Sequence, residues 1–216
     1  MVNIIGNNNS VFNQFIAEIR DENIQKDPMR FRRNIERMGE IISYEISKSL
    51  IYEKREVVTS LGIANVSMLK EQPIIASILR AGLPLHQGVL NYFDRAENAF
   101  ISAYRKHHKN GTFDIQLEYL ASPDLNDREL ILCDPMLATG SSIVLTYKAL
   151  LLRGKPRHTH IVTLIASAEG LEYAKKNFPQ NVTIWCGAVD EELTAKSYIV
   201  PGLGDAGDLA YGKKIG

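Results

Sequence analysis

The chain has 216 residues, and 25 Lys plus Arg balance 25 Asp plus Glu to a formal net charge of zero, with 45% hydrophobic and 23% charged residues. This length fits one domain with a substantial core. The charge balance speaks against a protein whose main partner is the nucleic-acid backbone, which would carry a basic surplus. Cys133 and Cys186 lie in apolar runs without CxxC neighbours. That arrangement reads as buried thiols in a reducing compartment rather than a metal or redox motif. No apolar run is long enough to span a bilayer. Residues 1–7 lack the basic and apolar regions of a signal peptide, so a cytoplasmic location and no membrane partner are expected.

Taken in chain order, Ser10 to Ile24 has apolar residues at helical spacing (Val11, Phe12, Phe15, Ile16, Ile19), with Ser10 as N-cap. Phe31 to Ile51 is a longer helix with Ile35, Met38, Ile41, Ile42, Ile46 and Leu50 on one side. Its Arg30, Arg32, Arg33 and Arg37 alternate with Glu36 and Glu40, the pattern of a solvated helix face. Short apolar runs separated by helices follow. Strands are expected at Pro73–Leu79, Ala99–Tyr104, Leu130–Cys133, His160–Ala166 and Val182–Ala188. Helices are expected through Leu90, over Ser142–Leu152 and over Gly170–Asn177. Gly111 to Leu120 reads as an extended arm behind an Asn110-Gly111 turn signal. Strands alternating with helices imply βαβ units and a mostly parallel twisted sheet flanked by helices. Ligands of such sheets bind beyond the carboxyl ends of the strands, which is where Arg80, Arg105 and Asp134 are expected.

Three segments carry chemistry. The first is Leu130 to Ser142, an apolar strand ending on Asp134-Pro135 and opening into Ala138-Thr139-Gly140-Ser141-Ser142 before a helix. It has no GxxxxGK[ST], so it is no P-loop. An ordinary strand–turn–helix with serine as N-cap would need fewer small and hydroxyl residues. A hydroxyl-rich loop feeding a helix N-terminus offers N–H donors to a phosphate, and the acid can hold a sugar hydroxyl or a metal. The second is Ile78-Leu79-Arg80-Ala81-Gly82, where a guanidinium follows a strand beside small residues, an arrangement suited to a diphosphate. The third is Tyr198 to Asp208. Its Gly202, Gly204 and Gly207 match GxGxxG formally, but no βαβ unit can follow so late in the chain. The glycines instead allow close backbone approach to a flat ligand. His107 and His108 sit in a basic loop, and Asp190, Glu191 and Glu192 read as a surface run.

Together these segments resemble the uracil phosphoribosyltransferases, of the type I phosphoribosyltransferase fold. The resemblance spans nearly the whole chain and includes Phe31-Arg32-Arg33, Ile78 to Gly82, Tyr104-Arg105, Asp134 to Ser142 and Tyr198 to Gly207. It implies one domain over residues 1–216, with an extended arm near 104–120 and a base-binding hood near 190–212. It also implies the reaction of uracil with 5-phosphoribosyl 1-diphosphate to UMP and diphosphate, with Mg²⁺ and no metal ligand assigned among the side chains. By position, Asp134, Pro135, Met136, Leu137, Ala138, Thr139, Gly140, Ser141 and Ser142 would hold the phosphoribosyl portion, Asp134 on the ribose hydroxyls. Arg80 and Arg105 match the diphosphate-binding arginines. Ile199, Gly204, Asp205 and Ala206 match the uracil slot, with Asp205 also reaching the phosphoribosyl substrate. Asp134, Asp205, Arg80 and Arg105 are thus the candidate catalytic residues. The Tyr104 to Leu120 arm, with its hairpin signal and no helical face, is expected to help form a homodimer or higher homo-oligomer; an allosteric, GTP-binding enzyme is expected, and the charge balance leaves no nucleic-acid partner expected.

Two departures from the family pattern stand out. Ser141 occupies a position where glycine is usual; if the position needs φ > 0 the serine is strained, and if it does not, its hydroxyl is a phosphate donor. After Arg105, where acids are common, the chain has Lys106-His107-His108-Lys109. Two other functions compete: a regulatory RNA-binding protein on the same fold that senses uridine nucleotides, and a phosphoribosyltransferase for another base.

Overall fold

The computed structural model describes residues 1–107 and 113–214, and of residues 103–107 and 113–117 it describes the backbone. The elements in order are β1 (Val2–Ile4), α1 (Val11–Arg20), α2 (Pro28–Ser47), β2 (Tyr52–Thr59), β3 (Gly62–Leu69), β4 (Ile74–Leu79), α3 (Leu83–Tyr92), β5 (Glu97–His107), β6 (Phe113–Ala121), β7 (Glu129–Cys133), β8 (Met136–Leu137), α4 (Ser141–Leu150), β9 (His158–Ser167), α5 (Ala168–Asn177), β10 (Val182–Asp190), β11 (Glu192–Leu193), β12 (Ile199–Val200) and α6 (Ala206–Tyr211). The main sheet runs β1-β10-β9-β7-β4-β5-β6, with β8 added to the end of β9. All its pairings are parallel except β5 with β6.

The expected mostly parallel sheet flanked by helices is therefore present. Alternation along the central strands sorts the core into two layers. Ile75, Ile131 and Val162 face α1, α2, α3 and α6, where they meet Phe12, Ile35, Met38, Leu85 and Ala206. Ile74, Ala76, Leu130, Leu132 and Ile161 face α4 and α5, with Ile143, Tyr147, Leu150 and Leu171. Both faces are covered, which is why these strands read as unbroken apolar runs.

Helix starts follow local chemistry. Ser10 caps α1 in a capping box with Asn13. Asp27 accepts hydrogen bonds from the N–H groups of Met29 and Arg30 (3.0 and 3.1 Å), and Pro28 takes the first turn, so α2 begins three residues before the expected Phe31. Between α2 and α3 the backbones nearly touch. A Cβ on Gly88 would lie 2.0 Å from the Glu36 carbonyl oxygen, and one on Gly39 would lie 2.7 Å from that of Leu85.

Three expectations change. Residues 52–69 form the antiparallel β2–β3 hairpin in a stretch that showed no element from sequence. Thr59 Oγ1 organises its turn by accepting from the N–H groups of Leu61 and Gly62 (3.2 and 3.1 Å). Arg105 does not follow its strand but lies within β5, which continues to His107 and pairs Arg105 with Ile115. The arginines of α2 are more than a solvated face: Arg30 pairs with Glu18 (2.9 Å), while Arg32 donates to the Ala210 carbonyl oxygen (2.6 Å) and lies over the Tyr211 ring.

Candidate active site

The strand ends of β4, β7, β9 and β10 bring the singled-out segments to one edge of the sheet. After β7 the chain does not loop freely. The Asp134 N–H donates to the Val162 carbonyl (3.0 Å), and the Pro135 carbonyl accepts from both Leu164 and Ile165 N–H (3.0 and 3.1 Å). β8 then pairs with the end of β9, Met136 opposite Ile165 and Leu137 opposite Ala166. Proline has no N–H to lose at this junction, and its carbonyl serves two donors. Asp134 stays half-buried, and its Oδ1 accepts the Met136 N–H (3.3 Å). Leu137 is turned into the core, so only its backbone faces the site.

Gly140 is the N-cap of α4 with φ 75°, and no side chain caps the helix. The Thr139 hydroxyl accepts the Ser141 N–H (3.4 Å), and the N–H groups that follow in the first turn have no capping side chain and can meet an anion. Ser141 is the first helical residue, so the left-handed conformation falls on Gly140 and not on Ser141. The serine is unstrained there, and the Thr139 hydroxyl donates to its Oγ (3.2 Å). Both hydroxyls are half-exposed at the loop. The loop is anchored from behind by Ser167, whose hydroxyl donates to the Ala138 carbonyl oxygen and accepts the Gly170 N–H (2.8 Å). A Cβ on Gly170 would lie 2.1 Å from the Ala138 oxygen, so the start of α5 presses directly on the loop.

The Arg80 turn lies beside it. A Cβ on Gly82 would meet the carbonyl oxygens of Ile78 and Cys133 at 2.6 and 2.7 Å, which is why this turn into α3 is made of small residues. The Leu79–Arg80 peptide is cis. Arg80 is exposed, and its Nη2 lies 3.2 Å from Asp208 Oδ1 and donates to the Gly212 carbonyl (3.3 Å). The guanidinium thus faces α6, and a Cβ on Gly207 would come within 4.0 Å of it. Arg105 has its backbone on the neighbouring strand β5; its side chain, like the Asn110-Gly111 turn and His108, lies outside the described residues.

The tail packs against both. β12 pairs with β11, Ile199 opposite Leu193, and the Ile199 side chain is buried in the core. Gly202 (φ 56°) and Gly204 (φ 97°) take left-handed conformations. A Cβ on Gly202 would collide with the Ile199 carbonyl at 2.1 Å, whereas nothing lies within 4 Å of the same position on Gly204. The backbone at Gly204 borders open space. Asp205 caps α6, its Oδ1 accepting the Asp208 N–H (2.9 Å), and Lys214 approaches its Oδ2 (3.6 Å). The Ala206 side chain is buried, so what this residue can offer the open space is backbone.

Asp190 is no member of a surface run. It is buried at the end of β10, with Arg20 Nη1 and Nη2 on its two oxygens (2.8 Å each) and the Gly202 N–H on Oδ2 (2.9 Å). Burial works to raise this carboxyl, but the bonds from Arg20 and Gly202 outweigh it and hold it below the ordinary carboxylate range. The cysteines are inert by position. Burial, reinforced by the Asp134 charge, drives the Cys133 thiol far above its usual value, and burial pushes Cys186 up to about 12.

Among the described residues no group of three or more His, Cys, Asp or Glu is arranged to hold a metal ion. Asp134 and Asp205 stand on separate loops, each accepting a backbone N–H. Such a sparse donor set fits Mg²⁺ only when substrate oxygens and water supply most of its shell. No helix among the described residues is long and apolar enough to cross a membrane.

Comparison with known proteins agrees over the whole length. The family described as uracil phosphoribosyltransferase matches residues 7–213. A protein of that name from Porphyromonas gingivalis is 55% identical over 211 residues, covering 98% of each chain. One from Methanothermobacter thermautotrophicus is 35% identical over 207 residues, covering 95% of this chain and 93% of the relative. The solved structure of the AQ2163 protein from Aquifex aeolicus superposes with a TM-score of 0.87 at 30% identity over 98% of both chains. The family model over residues 7–213 and relatives matched over nearly the whole chain place it in the uracil phosphoribosyltransferase family.

Proposed function

We propose that the chain transfers the phosphoribosyl group of 5-phosphoribosyl 1-diphosphate to uracil, releasing UMP and diphosphate. The observation that carries this reading is the meeting of three segments at one sheet edge. These are an uncapped helix N-terminus with two hydroxyls, an exposed guanidinium, and a glycine-lined backbone slot. Each suits one part of the substrate pair: the 5-phosphate, the diphosphate and the base.

The roles are those the family resemblance implies, and charge and position support them for the described residues. The 5-phosphate sits on the N–H groups at the start of α4, with Thr139, Ser141 and Ser142 hydroxyls as added donors. Residues Pro135 to Gly140 contribute backbone. Asp134 accepts the ribose hydroxyls. As the bond from ribose C1 to the diphosphate oxygen breaks, negative charge grows on the leaving group, and Arg80 and Arg105 stabilise it. Bound Mg²⁺ would supply further positive charge for the leaving group, with Asp134 and Asp205 the acids near enough to the site to help hold it. The new bond forms from C1 to uracil N1, and the N1 proton departs. Backbone groups of Ile199, Gly204, Asp205 and Ala206 pair with the edge of uracil. Cytosine, with a donor where uracil has an acceptor, leaves groups unpaired.

The enzyme reading is favoured over an RNA-binding one by the zero net charge and the intact Pro201 to Asp208 segment. Self-association belongs to the same proposal, supported by exposed apolar side chains on the β2–β3 hairpin. Purified protein with uracil, phosphoribosyl diphosphate and Mg²⁺ should form UMP, and adding GTP to that assay tests activation. No UMP, together with tight binding to a pyrimidine-operon leader RNA, overturns the assignment.

A further inference from the structure

The tail loop that borders the open space at Gly204 is not held by its own residues alone. Gly202 is buried, and both its backbone groups are taken by a charged pair from distant parts of the chain. Its N–H donates to Asp190 Oδ2 (2.9 Å), and its carbonyl accepts from Arg20 Nη1 (3.0 Å). Arg20 in turn grips both oxygens of Asp190 at 2.8 Å. Arg20 is the last residue of α1 and Asp190 the last of β10. The next residue, Leu203, is buried. With its amide nitrogen facing the carbonyls, Gln25 donates to the oxygens of Leu203 (2.9 Å) and Ile19 (3.1 Å). The end of α1 and the turn after it therefore buttress residues 202 and 203, directly before Gly204 and Asp205.

We propose that Arg20 and Asp190 are positioning residues for base recognition, fixing the peptide planes of the uracil slot through Gly202. The inference rests on the assignment of Ile199 to Ala206 as that slot. Recognition by backbone donors and acceptors depends on where the peptide planes point, since a rotated plane aims its N–H or carbonyl away from the base. A glycine at φ 56° has no side chain to stop such rotation, so the restraint comes from outside. The bidentate Arg–carboxylate pair is the most directional restraint available to side chains, and lysine cannot reproduce it. Neither residue reaches the phosphate loop or the Arg80 turn through any bond described above. The pair should therefore bear more on the base, met by four residues of this loop, than on the phosphoribosyl substrate, which only Asp205 among them is expected to reach.

The experiment is initial-rate kinetics on Arg20→Ala, Asp190→Asn and Arg20→Lys, varying uracil and phosphoribosyl diphosphate separately. The expected result is a rise of about tenfold or more in KM for uracil, with KM for phosphoribosyl diphosphate within about twofold of wild type. Arg20→Lys, which keeps one bond to Asp190, should recover part of the loss. Folded variants with an unmoved uracil KM, or with both KM values rising together, overturn the proposal. Should Arg20→Ala not fold, Arg20→Lys carries the test, and failure of that variant to fold makes the pair a structural one and equally overturns it. Wild-type protein in the same assay separates the two readings. No UMP from wild type sinks the assigned reaction, whereas wild-type turnover beside an unmoved uracil KM sinks this inference alone.

Discussion

Asp134 illustrates how one side chain can be placed by bonds that do not involve it. Its backbone N–H is held by Val162, the following proline carbonyl is held by Leu164 and Ile165, and the carboxylate itself stays half-buried at the strand end. The amide of asparagine keeps the oxygen that accepts the Met136 N–H but presents a weaker partner to ribose hydroxyls. Asp134→Asn should therefore retain the wild-type circular dichroism while turnover falls by about 100-fold. Near-normal turnover would show that this acid does not hold ribose. At the same scale the sequence was informative where chemistry is local and blind where it is not. Asp134, Gly140 and the tail glycines stand out by composition. Asp190 sits beside Glu191 and Glu192 and looks like one more surface acid, because its partner Arg20 is 170 residues away. Ser141 could not be resolved from sequence, since the question was which residue of Gly140-Ser141 takes the left-handed conformation.

Elements differ in how far their residues announce them. β4, β7, β9 and β10 are buried on both faces and read as apolar runs, so their existence was legible and only their ends moved. β2 and β3 are exposed along almost their whole length and carry charges at Glu53, Lys54, Arg55 and Glu56, so they offer neither an apolar run nor a clean alternation. The polar part of the contact between α1 and α2 was equally hidden, because its partners are far apart in sequence. Glu18 accepts from Arg30 (2.9 and 3.0 Å), Asn34 (2.7 Å) and Gln14 (3.2 Å), and these bonds lower its pKa from 4.5 to about 2. A carboxylate depressed in the folded state stabilises it fully above the unfolded pKa and loses that contribution as pH falls through the folded value. Wild-type stability should accordingly decline between pH 4.5 and about 2 from this group. Glu18→Gln should be less stable at neutral pH and flatter across that window, as read by denaturant melts at several pH values. A variant with the wild-type slope would remove Glu18 from the acid response.

At the scale of the molecule, the helices and the sheet bury each other, but the β2–β3 hairpin joins a core layer only through Leu69 at its base. Val58 is 83% exposed, Leu61 99% and Ile63 65%. A run of apolar side chains left in water is the surface signature of association, and the proposed homo-oligomer would account for it. Sedimentation should give at least twice the chain mass of 24.2 kDa. Changing Val58, Leu61 and Ile63 together to threonine should shift the equilibrium toward the monomer. A wild-type monomer at assay concentration would remove the oligomer from the proposal.

The near contact of α2 and α3 has a consequence for recombining this chain with its relatives. α3 begins at the Arg80 turn, and α2 holds α6 through Arg32, so the two helices join the Arg80 side of the site to the tail side. Where they cross, Gly39 and Gly88 each face a backbone oxygen of the other helix at a distance no side chain tolerates. A chimera with its crossover between residues 39 and 88 would inherit the two halves of that crossing from different parents. Its parts would be compatible only where the first parent places glycine at 39 and the second at 88, so breakpoints outside that interval are the ones that carry the crossing across intact.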